Sequence, residues 1–480
     1  MRIPPIICLV AVALALGCEK KPVANPLAEA ELVTFIEEGP MPVHLQQDAI
    51  PQDRKKIEKD RADFVAWYRS TTVDAYNKVG YRNAKWDEAA VDALEKLARS
   101  KATHDRDVDA FELAYEALDR AVKLGCDDPL ICYHHAKSQY SYLDLNTQPH
   151  DLQQLVGEKS FALLNSDYPA LRRANAAHNY ALTLAADPKT AAKAEGIFSK
   201  SRELFREALD ENRRYAGREF FHCAELAMEF GAQTTGRTPV YEAYADCLGD
   251  GDDTLALRSL LRGKYLLNSG WDIRGSAFAA QVPEARMKQF VEKLGEAAEE
   301  LVKAWNLDPS ATEAAIGLIA IAGAFGERDE MEKWFQLAMK ADGDCVEACE
   351  TKLNYLLPQW GGHADAMRQF ARRMVETKNW EAGLPARGIK VYETITLVYY
   401  RLIGVIPADW PVVSEHFEVW VKARPDSRWA WSDYCFLAER CEQKAAVRRA
   451  VENLKGNPSL TRFRADVYGG IEGRARRESE

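Results

Sequence analysis

Ala297-Ala298-Glu299-Glu300-Leu301-Val302-Lys303-Ala304-Trp305-Asn306-Leu307-Asp308-Pro309 is answered 34 positions later by Met331-Glu332-Lys333-Trp334-Phe335-Gln336-Leu337-Ala338-Met339-Lys340-Ala341-Asp342-Gly343. Matching places hold Ala297 and Met331, Leu301 and Phe335, Ala304 and Ala338, Pro309 and Gly343. Steps of four and then three keep the first three positions on one helix face. A large apolar side chain followed by a small one lets two helices approach closely. Pro309 and Gly343 are expected to end the helix, the first by lacking an N–H and the second by taking a left-handed turn. A period of this length accommodates two helices and their turns, so the stretch predicts stacked helical hairpins.

The same helical spacing extends in both directions. Phe64, Trp67 and Tyr68 share a face, as do Phe111, Ala114, Leu118 and Ala121, stopping at Gly125. Phe205 and Ala208 repeat the large-then-small step, and Phe220, Ala224 and Ala227 form the following arm. Toward the carboxyl end, Trp431, Tyr434, Cys435 and Ala438 open a helix whose partner carries Val447, Val451 and Leu454. No segment alternates with period two for long enough to predict a strand. Between Asn379 and Asp409 the period breaks around a helix from Ile389 to Leu402. The expected organisation is a leader at 1–17, a proline-rich tether at 18–60, helical repeats at 61–200, central repeats at 201–378, an irregular insert at 379–409, and helical hairpins with a tail at 410–480.

The leader has Arg2, an apolar run from Ile6 to Leu16, and small residues before Cys18. That run is too short to cross a bilayer, which takes about 20 residues. This end resembles a bacterial lipoprotein signal, although Ala15 stands where leucine is preferred three places before the cysteine. The resemblance implies export and a lipidated Cys18, which would anchor the chain at a bacterial membrane on the periplasmic side or the cell surface. An ordinary cleaved signal with an incidental cysteine is the other reading. A formal net charge of −10 argues against nucleic acid as a partner.

No sequence signature of catalysis is present: no G-x-S-x-G, no H-E-x-x-H, no phosphate-cradling glycine loop and no dinucleotide fingerprint. The acidic run from Asp246 to Asp253 lacks the glutamate that a calcium loop places eleven residues on. His134 and His135 are adjacent, and neighbouring helical side chains diverge by about 100°, so they do not make a ligand pair. Neither a catalytic residue, a metal nor a cofactor is assigned. Export would expose the cysteines to oxidation. Cys223 and Cys247, on facing arms of one hairpin, are the expected disulfide, with free buried thiols as the alternative.

Two stretches stand out as candidate contact sites. Asn268-Ser269-Gly270-Trp271-Asp272-Ile273-Arg274-Gly275-Ser276 is expected as a glycine-bracketed loop that offers a flat indole and a guanidinium fork. Leu357-Pro358-Gln359-Trp360-Gly361-Gly362-His363 is expected as a tight turn presenting Trp360. Together with Arg328-Asp329-Glu330-Met331 and the Met367 and Phe370 that follow, these motifs resemble an uncharacterised bacterial domain family of tetratricopeptide-like proteins. The likeness covers residues 200 to 375 and implies an all-α, tetratricopeptide-like solenoid, with no activity attached.

Two roles are open for Trp271, Asp272, Arg274 and Trp360. They are either structural, with Asp272 paired to Arg274, or a recognition patch on one concave wall. The expected function is a membrane-anchored scaffold for an unknown protein partner. A glycan- or peptide-binding module using exposed tryptophans is the alternative, and an enzyme with an unrecognised site is the third.

Overall fold

The computed structural model describes all residues except 1–40, 42, 143–148, 278–280, 358–359, 392–409, 460, 463–464 and 478–480. The leader, Cys18, most of the expected tether, Pro358 and the later part of the 379–409 insert lie outside the described residues. Among the described residues the fold is all-α, with no strand. It forms two units. The larger comprises Arg54–Asp105 and Ala110–Ile321, and the smaller comprises the described residues up to Asp53, Arg106–Asp109 and those from Ala322 onward.

The larger unit runs through α1 (Arg54–Thr71), α2 (Val73–Val79), α3 (Asp87–Ala102), most of α4 (Val108–Lys123), α5 (Pro129–Tyr142), α6 (Pro149–Leu164) and α7 (Ala170–Ala186). It continues with α8 (Ala194–Glu211), α9 (Arg213–Ala232), α10 (Arg237–Leu248), α11 (Leu255–Arg274), α12 (Glu284–Leu307) and most of α13 (Thr312–Phe325). Helix α1 thus begins inside the stretch expected as tether. Helices pack on their sequence neighbours: α6 on α7, α7 on α8, α9 on α10, and α11 on α12. Alternate helices also touch, with α7 on α9 and α9 on α11.

The repeated apolar positions form the core. Ala297, Leu301 and Ala304 on α12 are all buried. Leu301 is wedged between two glycines. A methyl group at Gly263 of α11 would lie 2.6 Å from its Cγ, and one at Gly317 of α13 would lie 2.7 Å from its Cδ1. Only residues without a Cβ allow both helices to close on one leucine, whose burial contributes about 2 kcal/mol.

The smaller unit contains α14 (Arg328–Ala341), α15 (Val346–Tyr355), α16 (Ala364–Glu376), α17 (384–391), α18 (Trp410–Ala423), α19 (Arg428–Arg440), α20 (Lys444–Leu454) and α21 (Ala465–Arg477). Met331, Phe335 and Ala338 on α14 are buried, and the Phe335 ring meets Phe370 of α16 edge-on at 5.3 Å. Helix α19 packs Trp431, Tyr434, Cys435 and Ala438 inward, and α20 answers with Val447, Val451 and Leu454. Asp433 is fully buried and carries Lys390 at 3.2 Å and Arg462 at 2.8 Å.

One expectation about the repeat is corrected. Gly343 does not adopt a positive φ. The helix stops one residue earlier, at Asp342, whose extended backbone (φ −142°, ψ 102°) matches that of Asp308 (φ −143°, ψ 90°) after α12. Each aspartate also accepts a hydrogen bond from the backbone N–H two residues on, at 3.0 Å from Ser310 and 2.9 Å from Asp344. Such a turn gives the chain a hydrogen bond that competes with continued helix. Asn212 closes α8 in the same extended conformation (φ −152°, ψ 90°).

Candidate functional site

In the larger unit, polar side chains from α1, α5, α7 and α9 meet in one connected network. Its centre is Arg172 on α7, only 4 % exposed. Its guanidinium donates to Thr71 Oγ1 at 2.6 Å and to Glu219 Oε1 of α9 at 3.4 Å. It also lies over the Tyr68 ring at 4.2 Å and the Trp67 ring at 5.5 Å. Trp67 in turn stacks on Tyr215 of α9, with ring centres 4.6 Å apart. Asn175, one turn after Arg172, donates to the second oxygen of Glu219 and accepts from the Cys223 thiol at 3.4 Å. Asn179, a further turn on, donates to the Tyr133 hydroxyl of α5 at 2.9 Å, which Lys137 reaches at 3.5 Å. Next along, Lys264 of α11 pairs with Glu225 of α9 at 2.6 Å.

Arg172, Tyr133 and His134 are buried, so these groups sit in a recess between the helices, and that burial sets their electrostatics. Burial, with Arg172, Lys101 and Lys137 adding to it, holds the His134 imidazole well below its usual pKa. Burial also lowers Lys137, reinforced by Lys101. For Lys101 burial opposes the charge, but the nearby Asp105 carboxylate outweighs it and raises the pKa. Desolvation also lowers the His222 imidazole, although its side chain reaches solvent. Burial pushes the Cys223 thiol up to about 12, so it is no nucleophile at neutral pH. His178 is lowered to about 3 by burial and then by Lys137, and it faces the Tyr244 hydroxyl at 3.2 Å. The recess therefore offers fixed donors, acceptors and aromatic edges rather than a nucleophile beside a base. Among the described residues no three His, Cys, Asp or Glu side chains gather as a metal site.

The residues singled out from sequence fall elsewhere. Trp271, Asp272 and Arg274 occupy the last turn of α11 rather than a loop. Gly270 is a packing glycine, because a Cβ there would lie 2.6 Å from Leu294 Cδ1. Trp271 packs on Phe290 at 4.9 Å between ring centres, with Arg274 over it at 5.4 Å. Asp272 pairs with Arg237 of α10 at 2.9 Å, not with Arg274, which donates to the Gly275 carbonyl at 3.0 Å.

Trp360 belongs to the smaller unit. Its carbonyl accepts from Arg328, which also donates to the Tyr355 carbonyl at 2.5 Å. A Cβ on Gly362 would lie 1.9 Å from the Leu356 carbonyl oxygen, so this turn admits only glycine there. Cys223 and Cys247, the expected disulfide pair, are not bonded to each other in this structure. Both thiols are free and turn to different neighbours, Cys223 to Asn175 and Cys247 to the Arg202 carbonyl at 3.1 Å.

A separate open cleft of about 410 Å³ lies between α6 and α7, lined by Gln153, Gly157, Phe161, Tyr180, Thr183 and Asp187. Phe161 is half exposed, with its ring 5.2 Å from Tyr180.

No protein-family model matches the chain, and no curated protein matches it.

Proposed function

We propose that the protein is an exported, membrane-anchored helical-repeat scaffold whose hairpins form a tetratricopeptide-like solenoid and grip a protein partner. The observation that carries this reading is the polar recess of the larger unit, to which α1, α5, α7 and α9 each contribute side chains. Repeat proteins present such a wall to an extended or folded partner. The tryptophans add support: Trp305, Trp334, Trp420, Trp429 and Trp431 are buried as core residues rather than displayed as stacking platforms. Lipidation at Cys18 would hold the complex at the membrane.

The test places a photo-crosslinking residue at His222, inside the recess, or at Lys200, which is exposed on α8, in the native envelope. A discrete protein adduct from position 222 and none from 200 supports the scaffold. Equal labelling, or no protein adduct, removes it. Replacing Cys18 with serine should move the chain from the membrane to the soluble fraction.

A glycan-binding reading is favoured by one feature, the Phe161–Tyr180 cleft with the amide of Gln153 and carboxylate of Asp187 at its rim. Loss of binding to cell-wall saccharide on Phe161→Ala would turn the assignment toward it.

A further inference from the structure

Residues 43–53, ahead of α1, cross the smaller unit as an extended strap after a single turn at Val43–Leu45. Their main chain is read by side chains. The Gln47 N–H donates to Gln369 Oε1 at 2.7 Å, and Arg373 donates to the Gln47 carbonyl at 3.3 Å, both from α16. Gln336 of α14 donates to the Ala49 carbonyl at 3.1 Å. At the far end, Gln52 donates to the Gly343 carbonyl at 2.8 Å, and Asn379 donates to the Gln52 side chain at 2.9 Å. Only Leu45, Gln47 and Ile50 turn inward and are buried, while Val43, His44, Gln46, Asp48 and Ala49 face solvent.

This is how a helical surface holds a peptide: carboxamides and a guanidinium fix the backbone, and two aliphatic anchors set the register. We infer that this surface is a binding groove for an extended peptide with aliphatic residues five positions apart, and that the chain's own strap is its resident occupant. The fit of the strap is incomplete. The Gln47 side chain is buried with its nitrogen donating to the Leu45 carbonyl at 2.6 Å but its oxygen without a hydrogen-bond partner, a cost that a competing segment with an aliphatic residue there does not carry. A segment of another protein with that pattern would therefore displace the strap. The groove lies within the smaller unit and does not depend on the recess described above.

The probe is a fluorescein-labelled peptide spanning residues 43–53, titrated by anisotropy against the full chain. The wild-type chain should bind it weakly. The Leu45→Asp/Ile50→Asp chain, whose own strap is released, should bind at least tenfold more tightly. Adding Gln369→Ala and Arg373→Ala should reverse the gain. Equal affinity for the first two proteins, or no effect of the last two substitutions, overturns the proposal. Should the strap variant lose its helical circular dichroism, a chain with a protease site inserted between Asp53 and Arg54 is cut after folding and washed. Failure of the peptide to bind that cut chain also overturns it, and a Gln47→Leu peptide should bind more tightly than the native sequence.

Discussion

The ammonium of Lys352 lies 4.3 Å from the centre of the Phe335 ring, the aromatic knob of the second repeat. It is also 4.5 Å from the Phe370 ring and forms an ion pair with Glu332. No part of the Lys352 side chain is exposed, and burial lowers its pKa despite Glu332. A charge held this way is retained only because both aromatic faces and the carboxylate compensate its desolvation. Lys352→Ala should cost about 3 kcal/mol in urea unfolding. Lys352→Met, which keeps the packing, should cost clearly less. Equal costs would show that the charge, not the volume, matters.

Gly263 and Leu301 make a comparable test in the larger unit. With a Cβ only 2.6 Å from Leu301 Cγ, Gly263→Ala should destabilise by about 1–3 kcal/mol through overpacking, despite alanine's better helix propensity. Pairing it with Leu301→Val should recover part of the loss. A stabilised Gly263→Ala protein would rule out the close approach.

His178 gives the larger unit an acid-labile element. Its folded pKa of about 3 lies below the ordinary value near 6.5, so between these limits the unfolded chain binds a proton that the folded chain does not. Its contribution is complete above about pH 6.5 and is lost as pH falls toward 3, with a ceiling on the order of 5 kcal/mol. His178→Gln, which keeps a partner for Tyr244 but cannot be charged, should flatten stability against pH across this window. An unchanged pH profile would assign the acid sensitivity elsewhere, His134 being the next group lowered by burial.

Thiol chemistry follows burial. Cys132 is half-buried, whereas the thiols of Cys223 and Cys435 are buried and pushed up to about 12. Maleimide labelling of the native chain should therefore reach Cys132 at least tenfold faster than Cys223 or Cys435. Peptide mapping without reductant should find Cys223 and Cys247 unlinked. A linked peptide would contradict the geometry.

Sequence periodicity revealed the knobs and small residues because Leu301, Ala304, Phe335 and Ala338 obey helical spacing that burial enforces. It misjudged the helix ends. Gly343 was a persuasive stop signal, yet Asp308 and Asp342 occupy equivalent places and perform the stop. Phe205, Ala208 and Asn212 carry the same spacing and were open to the same reading. Gly270 misled for the opposite reason: a glycine that admits Leu294 looks, in one dimension, like a glycine that breaks a helix. The recess was invisible because Trp67, Arg172 and Glu219 meet only after α1, α7 and α9 pack together. The strap went unrecognised because its holding groups, Gln336, Gln369 and Arg373, lie some three hundred residues downstream.

The strap has a mechanical consequence. Tension applied at the amino end loads its contacts one after another, as in peeling tape, rather than all at once as in shear. Those few hydrogen bonds and two aliphatic anchors should yield before any helix of the bundle carries force. Stretching single molecules from that end should show a small early extension, preceding the first helical rupture and missing from the Leu45→Asp/Ile50→Asp chain.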